Sequence, residues 1–275
     1  MPVFDTPGKV ALKIGLGGGH VSVETDDVKE TTVDVEALRD DEATHEAIAA
    51  MRIEARDRGG FHEVVVEAPK RSGGWLGALG RGPKIGVRVR CPHDADLRII
   101  TSSADIEVEG RVAEVEVNTA SGDVSLENVT VSLKANTASG DVSVGEIGAS
   151  GAIKTASGDV RVQRAHGTLT ANLVSGDFEL GEAFDDISIA TVSGDQEIAV
   201  LRGGEHAKVQ SVSGDVRIGV APGLQLWIDG SSVSGSMRSE LDLEDAPAAQ
   251  EGPVVELRAR TVSGDVQIVR AAPVA

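Results

Sequence analysis

The residues whose type and spacing could do chemistry are aspartates. Seven follow the same Ser-Gly pair: Asp123, Asp141, Asp159, Asp177, Asp195, Asp215 and Asp265, the first five of them 18 residues apart. Stacked at the ~4.8 Å strand spacing, neighbouring carboxylates repel by ~1 kcal/mol in water and several-fold more at an effective dielectric of 20. Something must relieve that repulsion. Backbone N–H donors are one answer, with each carboxylate as a turn acceptor. A row of cations is the other, with Asp123, Asp141, Asp159, Asp177, Asp195 and Asp215 as ligands. Ca²⁺ takes about six to eight oxygens, and one carboxylate per repeat is a sparse supply.

A second column of hydroxyls lies four residues earlier: Thr119, Thr137, Thr155, Thr191 and Thr261. Flat threonine arrays can order water. Here Leu173 takes the same position in one repeat, which argues that the column faces inward. Catalytic constellations are missing. The histidines at 20, 45, 62, 93, 166 and 206 share no metal-ligand spacing, and there is no Gly-x-Ser-x-Gly elbow or Walker loop. Cys91 stands before Pro92 and reads as a small buried hydrophobe. A carbohydrate-cleaving β-helix would need aromatics for sugar stacking, and the chain is 2% aromatic. The expectation is no enzyme, no cofactor and no catalytic residue.

One stretch breaks the acidic rule of the chain. Residues 70–84 carry Lys70, Arg71, Arg81 and Lys84 without an acid, around Trp75, Leu76 and Leu79. The glycines make it a loop. Such a loop either folds over the end of the core, with Trp75 as a plug, or offers a contact site to a protein partner or membrane surface.

The elements that must position these groups follow from the period. With the aspartate as position zero, +1 and +3 are apolar in most copies (Val124/Leu126, Val142/Val144, Val160/Val162, Phe178/Leu180) and +2 is polar. Positions −8 and −6 are a second apolar pair (Val115/Val117, Leu133/Ala135, Leu169/Ala171, Ile187/Ile189). This alternation predicts two short strands and two turns per coil, and a fixed period of this length predicts stacked coils. Gln196 breaks the +1 pattern. Ser103-Ala104-Asp105 and Ser234-Gly235-Ser236 are degenerate copies, and His20 fits position zero of an early one. Residues 1–92 divide from the array at 93–275. They hold that early coil and a cap with a helix near 40–51, a hairpin around Arg58-Gly59-Gly60, and the basic loop at 70–84. Residues 239–252 form an acidic insertion within the array.

Net charge is −18 over 275 residues, which predicts no nucleic-acid partner and confines any membrane contact to the loop at 70–84. One cysteine excludes an internal disulfide. The first residues show no secretory leader, and no apolar run reaches the length of a bilayer span, so the expectation is a cytoplasmic chain. Bare terminal coils leave a monomer or an end-to-end dimer open, and the sequence names no protein partner.

The copies Thr119-Ala120-Ser121-Gly122-Asp123-Val124 and Thr137-Ala138-Ser139-Gly140-Asp141-Val142, with Val87-Arg88-Val89-Arg90-Cys91-Pro92 ahead of them, resemble the DUF4097 or toastrack family across nearly the whole chain. The resemblance implies an all-β, right-handed parallel β-solenoid. It also implies a non-enzymatic assembly or ligand-binding scaffold of the kind found in bacterial envelope-stress systems.

Overall fold

The structure is a computed structural model that describes residues 1–69, 82–241 and 254–271. It divides into two compact units, Met1–Asp141 and Val142–Ala275. Each is a parallel β-solenoid whose coils are built as the 18-residue pattern predicts.

The first unit contains β1 (Val3–Asp5), β2 (Val10–Asp26), β3 (Glu30–Ala37), α1 (Glu42–Ala49), β4 (Arg52–Asp57), β5 (His62–Glu67), β6 (Ile85–Pro92), β7 (Ala95–Ser121) and β8 (Val124–Ser139). The strand β2 is one whole coil, with Val10, Leu12, Ile14, Val21 and Val23 buried. It pairs in parallel with β7 on one side, Leu12 opposite Leu97 and His20 opposite Asp105. On its other side it pairs with β5 and then β6. The spatial order is therefore β5/β6, β2, β7, β8, which is not the order of the chain. His20 does stand in the zero position.

Antiparallel strands finish the outer coil: β3 lies against β6, β1 against β3, and β4 against β5. Reversing direction there ends the parallel stack and blunts its edge. The helix is shorter than 40–51. Asp41 takes the N-cap, its Oδ1 accepting the Thr44 N–H at 2.7 Å, and Ala50 takes the C-cap. Thr44 and Ala47 face the protein.

The second unit runs through β9 (Val142–Ile147), β10 (Ser150–Ser157), β11 (Val160–Ala165), β12 (Thr168–Ser175), β13 (Phe178–Ala183), β14 (Ile187–Ser193), β15 (Gln196–Leu201), β16 (His206–Ser213), β17 (Val216–Val220), β18 (Gln225–Ser234), β19 (Met237–Ser239), β20 (Val254–Ser263) and β21 (Val266–Arg270). One ladder stacks β10, β12, β14, β16 in parallel register and the other stacks β9, β11, β13, β15, β17. At the end the order again departs from the chain. β20 pairs with β16 on one side and β18 on the other, and β21 sits between β17 and β19. The last coil of the sequence is inserted inside the one before it.

The core of both units is the set of inward positions the alternation predicts. Val115, Val117, Leu133 and Ala135 are buried in the first, and Phe178, Leu180, Leu169 and Ile189 in the second. Branched and small side chains suffice because each coil is thin. The motif glycine is set by geometry. Gly194 has φ +132, and a Cβ there would run into the carbonyl of Gly176 in the neighbouring coil.

Candidate functional site

The aspartate column has a definite bonding pattern. In the first unit the Asp123 N–H donates to Asp105 Oδ1 at 3.2 Å and the Asp141 N–H to Asp123 Oδ1 at 3.0 Å. In the second, Asp177 donates to Asp159, Asp195 to Asp177, Asp215 to Asp195 and Asp265 to Asp215, at 2.8–3.0 Å. Each peptide is tied again through its carbonyl, as when Val160 N–H donates to Asp177 O at 2.9 Å. The carboxylates thus act as structural acceptors from coil to coil. The column closes at Ser236, whose N–H donates to Asp265 Oδ1 at 2.8 Å. The Ser236 backbone and side chain both hold the Asp265 carboxyl below its usual range, and Arg238 adds to this. Among the described residues no group of three or more His, Cys, Asp or Glu side chains could hold a metal ion.

Threonines of the second column are buried, which answers their direction. Thr101 Oγ1 donates to Thr119 Oγ1 at 2.9 Å, and Thr191 Oγ1 donates to Ser211 Oγ at 3.2 Å. Gln196, unexplained by the pattern, is joined to this column. Its Nε2 donates to Thr191 Oγ1 and to Gln210 O, each at 2.7 Å, while its Oε1 is buried without a partner. Cys91 is fully buried, and desolvation pushes its thiol up to about 12, so it is no nucleophile. The histidines are dispersed. His45 meets Asp40 at 2.8 Å, His206 meets Glu256 at 3.2 Å, and His166 stacks on Phe184.

A groove of about 590 Å³ in the first unit is lined by Lys9, Asp26, Lys29, His93, Asp94 and Arg111. Its charges largely neutralise one another. Arg111 holds Asp94 through two bonds at 2.8 and 3.0 Å, Lys9 holds Asp96 at 2.9 Å, and Arg90 holds Asp26. Asp94 sits at φ +59, a conformation aspartate tolerates in tight turns.

Of the basic loop, Lys70, Arg71, Trp75, Leu76, Leu79 and Arg81 lie outside the described residues, as do residues 242–252 of the acidic insertion. Lys84 is described. Its N–H donates to Thr44 Oγ1 at 3.3 Å and its carbonyl accepts the Leu38 N–H at 3.0 Å. That end of the loop is tied to the cap formed by β3 and α1.

Sequence reasoning passed over the surface feature with the clearest regularity. Three residues before each aspartate the early repeats carry alanine, and the later ones carry valine. In the second unit Val174, Val192, Val212, Val262 and Val233 stand in adjacent coils and are all exposed, the first four about half. Their flanking residues pair in register, Leu173 with Thr191 and Ser175 with Ser193, then Ser211 with Thr261 and Ser213 with Ser263. The valines therefore form an apolar column along a parallel ladder. Exposed serines (Ser175, Ser193, Ser213, Ser263) edge it on the aspartate side. Beyond its other edge the outward side chains include Lys154, Lys208, Arg258 and Arg260, with Glu256 and Asp229 the acids beside them. No carboxylate among the described residues pairs with Lys154 or Lys208. The signal in the sequence was the change from alanine to valine at an outward position.

Coils of this kind, stacked in parallel register with a carboxylate-bonded turn, define a β-solenoid repeat protein. The chain belongs to the Toastrack DUF4097 family, whose pattern matches residues 19–269. A crystal structure from Bacteroides fragilis NCTC 9343, named a "putative adhesin", aligns over 97% of this chain and 95% of its own, with 11% identity and a TM-score of 0.46. Another, from Clostridium sporogenes ATCC 15579 and named a "putative cell adhesion protein", aligns over 96% and 93%, with 9% identity and a TM-score of 0.23. No curated protein matches the chain.

Proposed function

We propose that this protein is a non-enzymatic scaffold that docks another protein on its β-solenoid surface. The observation that carries this reading is the exposed valine column of the second unit. A monomeric surface scatters its apolar residues, whereas here five valines stand in register on paired strands, which supports a contact surface. The hydroxyl edge supplies hydrogen bonds. The basic side chains beyond it favour a partner that brings an apolar ridge with acidic flanks.

The basic loop with Lys70, Arg71, Trp75, Leu76, Leu79, Arg81 and Lys84 is a second docking element in this proposal. The family resemblance suggests a partner in a bacterial envelope-stress system. The test compares capture from native lysate, soluble and membrane fractions kept apart, by three baits. These are the wild type, Val192→Lys/Val212→Lys, and Trp75→Ser/Leu76→Ser/Leu79→Ser. A partner lost with the valine variant supports the column, and one lost with the loop variant assigns docking to residues 70–84. Equal capture by all three, with unchanged circular dichroism, rejects both surfaces.

A further inference from the structure

The end coil of the second unit differs from every coil beneath it. Inward positions that are sealed in the adjacent coil, Val255, Leu257, Ala259, Val266 and Ile268, are all buried. Their counterparts in β18 and β19 are Leu226, Ile228, Gly230, Met237 and Ser239, and these are half-buried or exposed. Gly230 takes the slot where the neighbouring coil has Ala259, and the Met237 side chain lies across it, where a Cβ would clash. Among the described residues the interior at this end is covered by a flexible thioether rather than by another coil.

The backbone edge is open as well. Among the described residues β18 pairs with β20 alone and β19 with β21 alone. The outer coil of the first unit is blunted by antiparallel strands. Among the described residues the edge at β18 has no such device. Residues 225–239 hold one acid, Asp229, one base, Arg238, and no lysine, glutamate or proline. Natural edge strands deter pairing with those very residues. Trp227 at 53% exposure and Val233 at 81% add apolar surface beside the edge.

We infer that this end coil is a homodimer interface, with β18 of one copy pairing antiparallel to β18 of another about a two-fold axis. The occupant is a second copy for two reasons. A lone peptide strand would satisfy the edge yet leave the cross-section around Leu226, Ile228 and Met237 open, whereas an identical end covers both. The chain carries a net charge of −18, but residues 225–239 hold one acid and one base, so this edge brings no net charge of its own against a second copy. The pairing is isologous, so it closes at two and does not propagate.

The test is mass by light scattering across a dilution series, with hydrogen exchange read on the same samples. The wild type should show twice its 28.4 kDa at concentrations around 50 µM, and amides of β18 should gain protection with concentration while those of β14 do not. Ile228→Lys, an inward charge at a half-exposed position, should weaken the dimer at least tenfold. Should that variant fail to fold, the wild-type exchange series still decides. A monomer at every concentration overturns the inference and leaves the edge to a foreign strand or to its own chain. So does a dimer in which β18 protection does not change.

Discussion

Replacing Asp177 by asparagine separates the two jobs a carboxylate can have in the column. The Asp177 Oδ1 accepts the Asp195 N–H at 2.8 Å, and asparagine retains a carbonyl oxygen for that bond. A bond to a neutral acceptor is weaker than one to a carboxylate by about 1 kcal/mol. Against this, Asp177 has like charges on both sides, Asp159 and Asp195, at the ~4.8 Å coil spacing. Each pair costs ~0.9 kcal/mol at the dielectric of water, so neutralising the middle member relieves ~1.7 kcal/mol at low ionic strength. The net expectation for Asp177→Asn is a gain of about 0.5–1 kcal/mol in dilute buffer. In molar salt, where the screening length falls to about 3 Å, the relief disappears and the weaker bond remains as a small loss. Asp177→Ala removes the acceptor and should cost about 1 kcal/mol in molar salt, where no relief offsets it. Urea midpoints at 10 mM and 1 M salt, with and without Ca²⁺, measure all of this. Asparagine as damaging as alanine at low salt would refute the reasoning. A rise in wild-type midpoint with Ca²⁺ that the asparagine variant lacks would do so too, because the column would then be a cation site.

Gly194→Ala must place a Cβ at φ +132 against the Gly176 carbonyl, and should cost more than about 3 kcal/mol, whereas Gly17→Ala, with nothing within 4 Å, should cost under about 1. Lys13 first and Arg58 second hold the buried Glu63 carboxyl at about 2, below its ordinary 4.5. Its contribution is therefore present above pH 4.5 and is lost as pH falls from there through 2. The full shift converts to about 3 kcal/mol, and solvent screening of the half-exposed Lys13 and Arg58 reduces it to the order of 1–2. Glu63→Gln should flatten acid unfolding in that window, and an unchanged profile counts against the assignment. Gln196→Val gives up two bonds but also one unpartnered buried oxygen, so its midpoint should lie within about 1 kcal/mol of wild type; a loss above about 3 would show that the Thr191 network holds the coil.

The Ser-Gly-Asp period made most of the fold legible. Period two fixes which side chains face in, and Leu173 among the threonines already told the direction of that column. The order of stacking was not legible, because every coil presents the same ladder to its neighbour and register alone cannot rank them. A trace was nonetheless present. Ser236 replaces aspartate in the one coil that, among the described residues, has no further N–H to accept, which marks it as outermost there. Gln196 defeated the pattern because an amide at an apolar position needs two partners the period does not announce, Thr191 in its own repeat and Gln210 in the next coil. The valine column was hidden by its context: beside a Ser-Gly-Asp that recurs in nearly every repeat, a change from alanine to valine reads as a neutral variation until the exposure of the position is known.

Insertion of the β20/β21 coil inside the β18/β19 coil has a consequence for synthesis. The ribosome delivers β18 before β20, so the growing edge at β16 first meets the wrong neighbour. The earlier coil has the same strand spacing and can sit there until the later one emerges and displaces it. The later coil wins because it alone brings a carboxylate, Asp265, for the next turn, and because Val255, Leu257 and Ala259 fill the interior that Leu226, Ile228 and Gly230 leave open. Emergence of β20 and β21, rather than collapse of the first repeats, is then the step that completes the second unit. A ribosome stalled before residue 254 would hold a chain that is regular, stacked and one coil out of place.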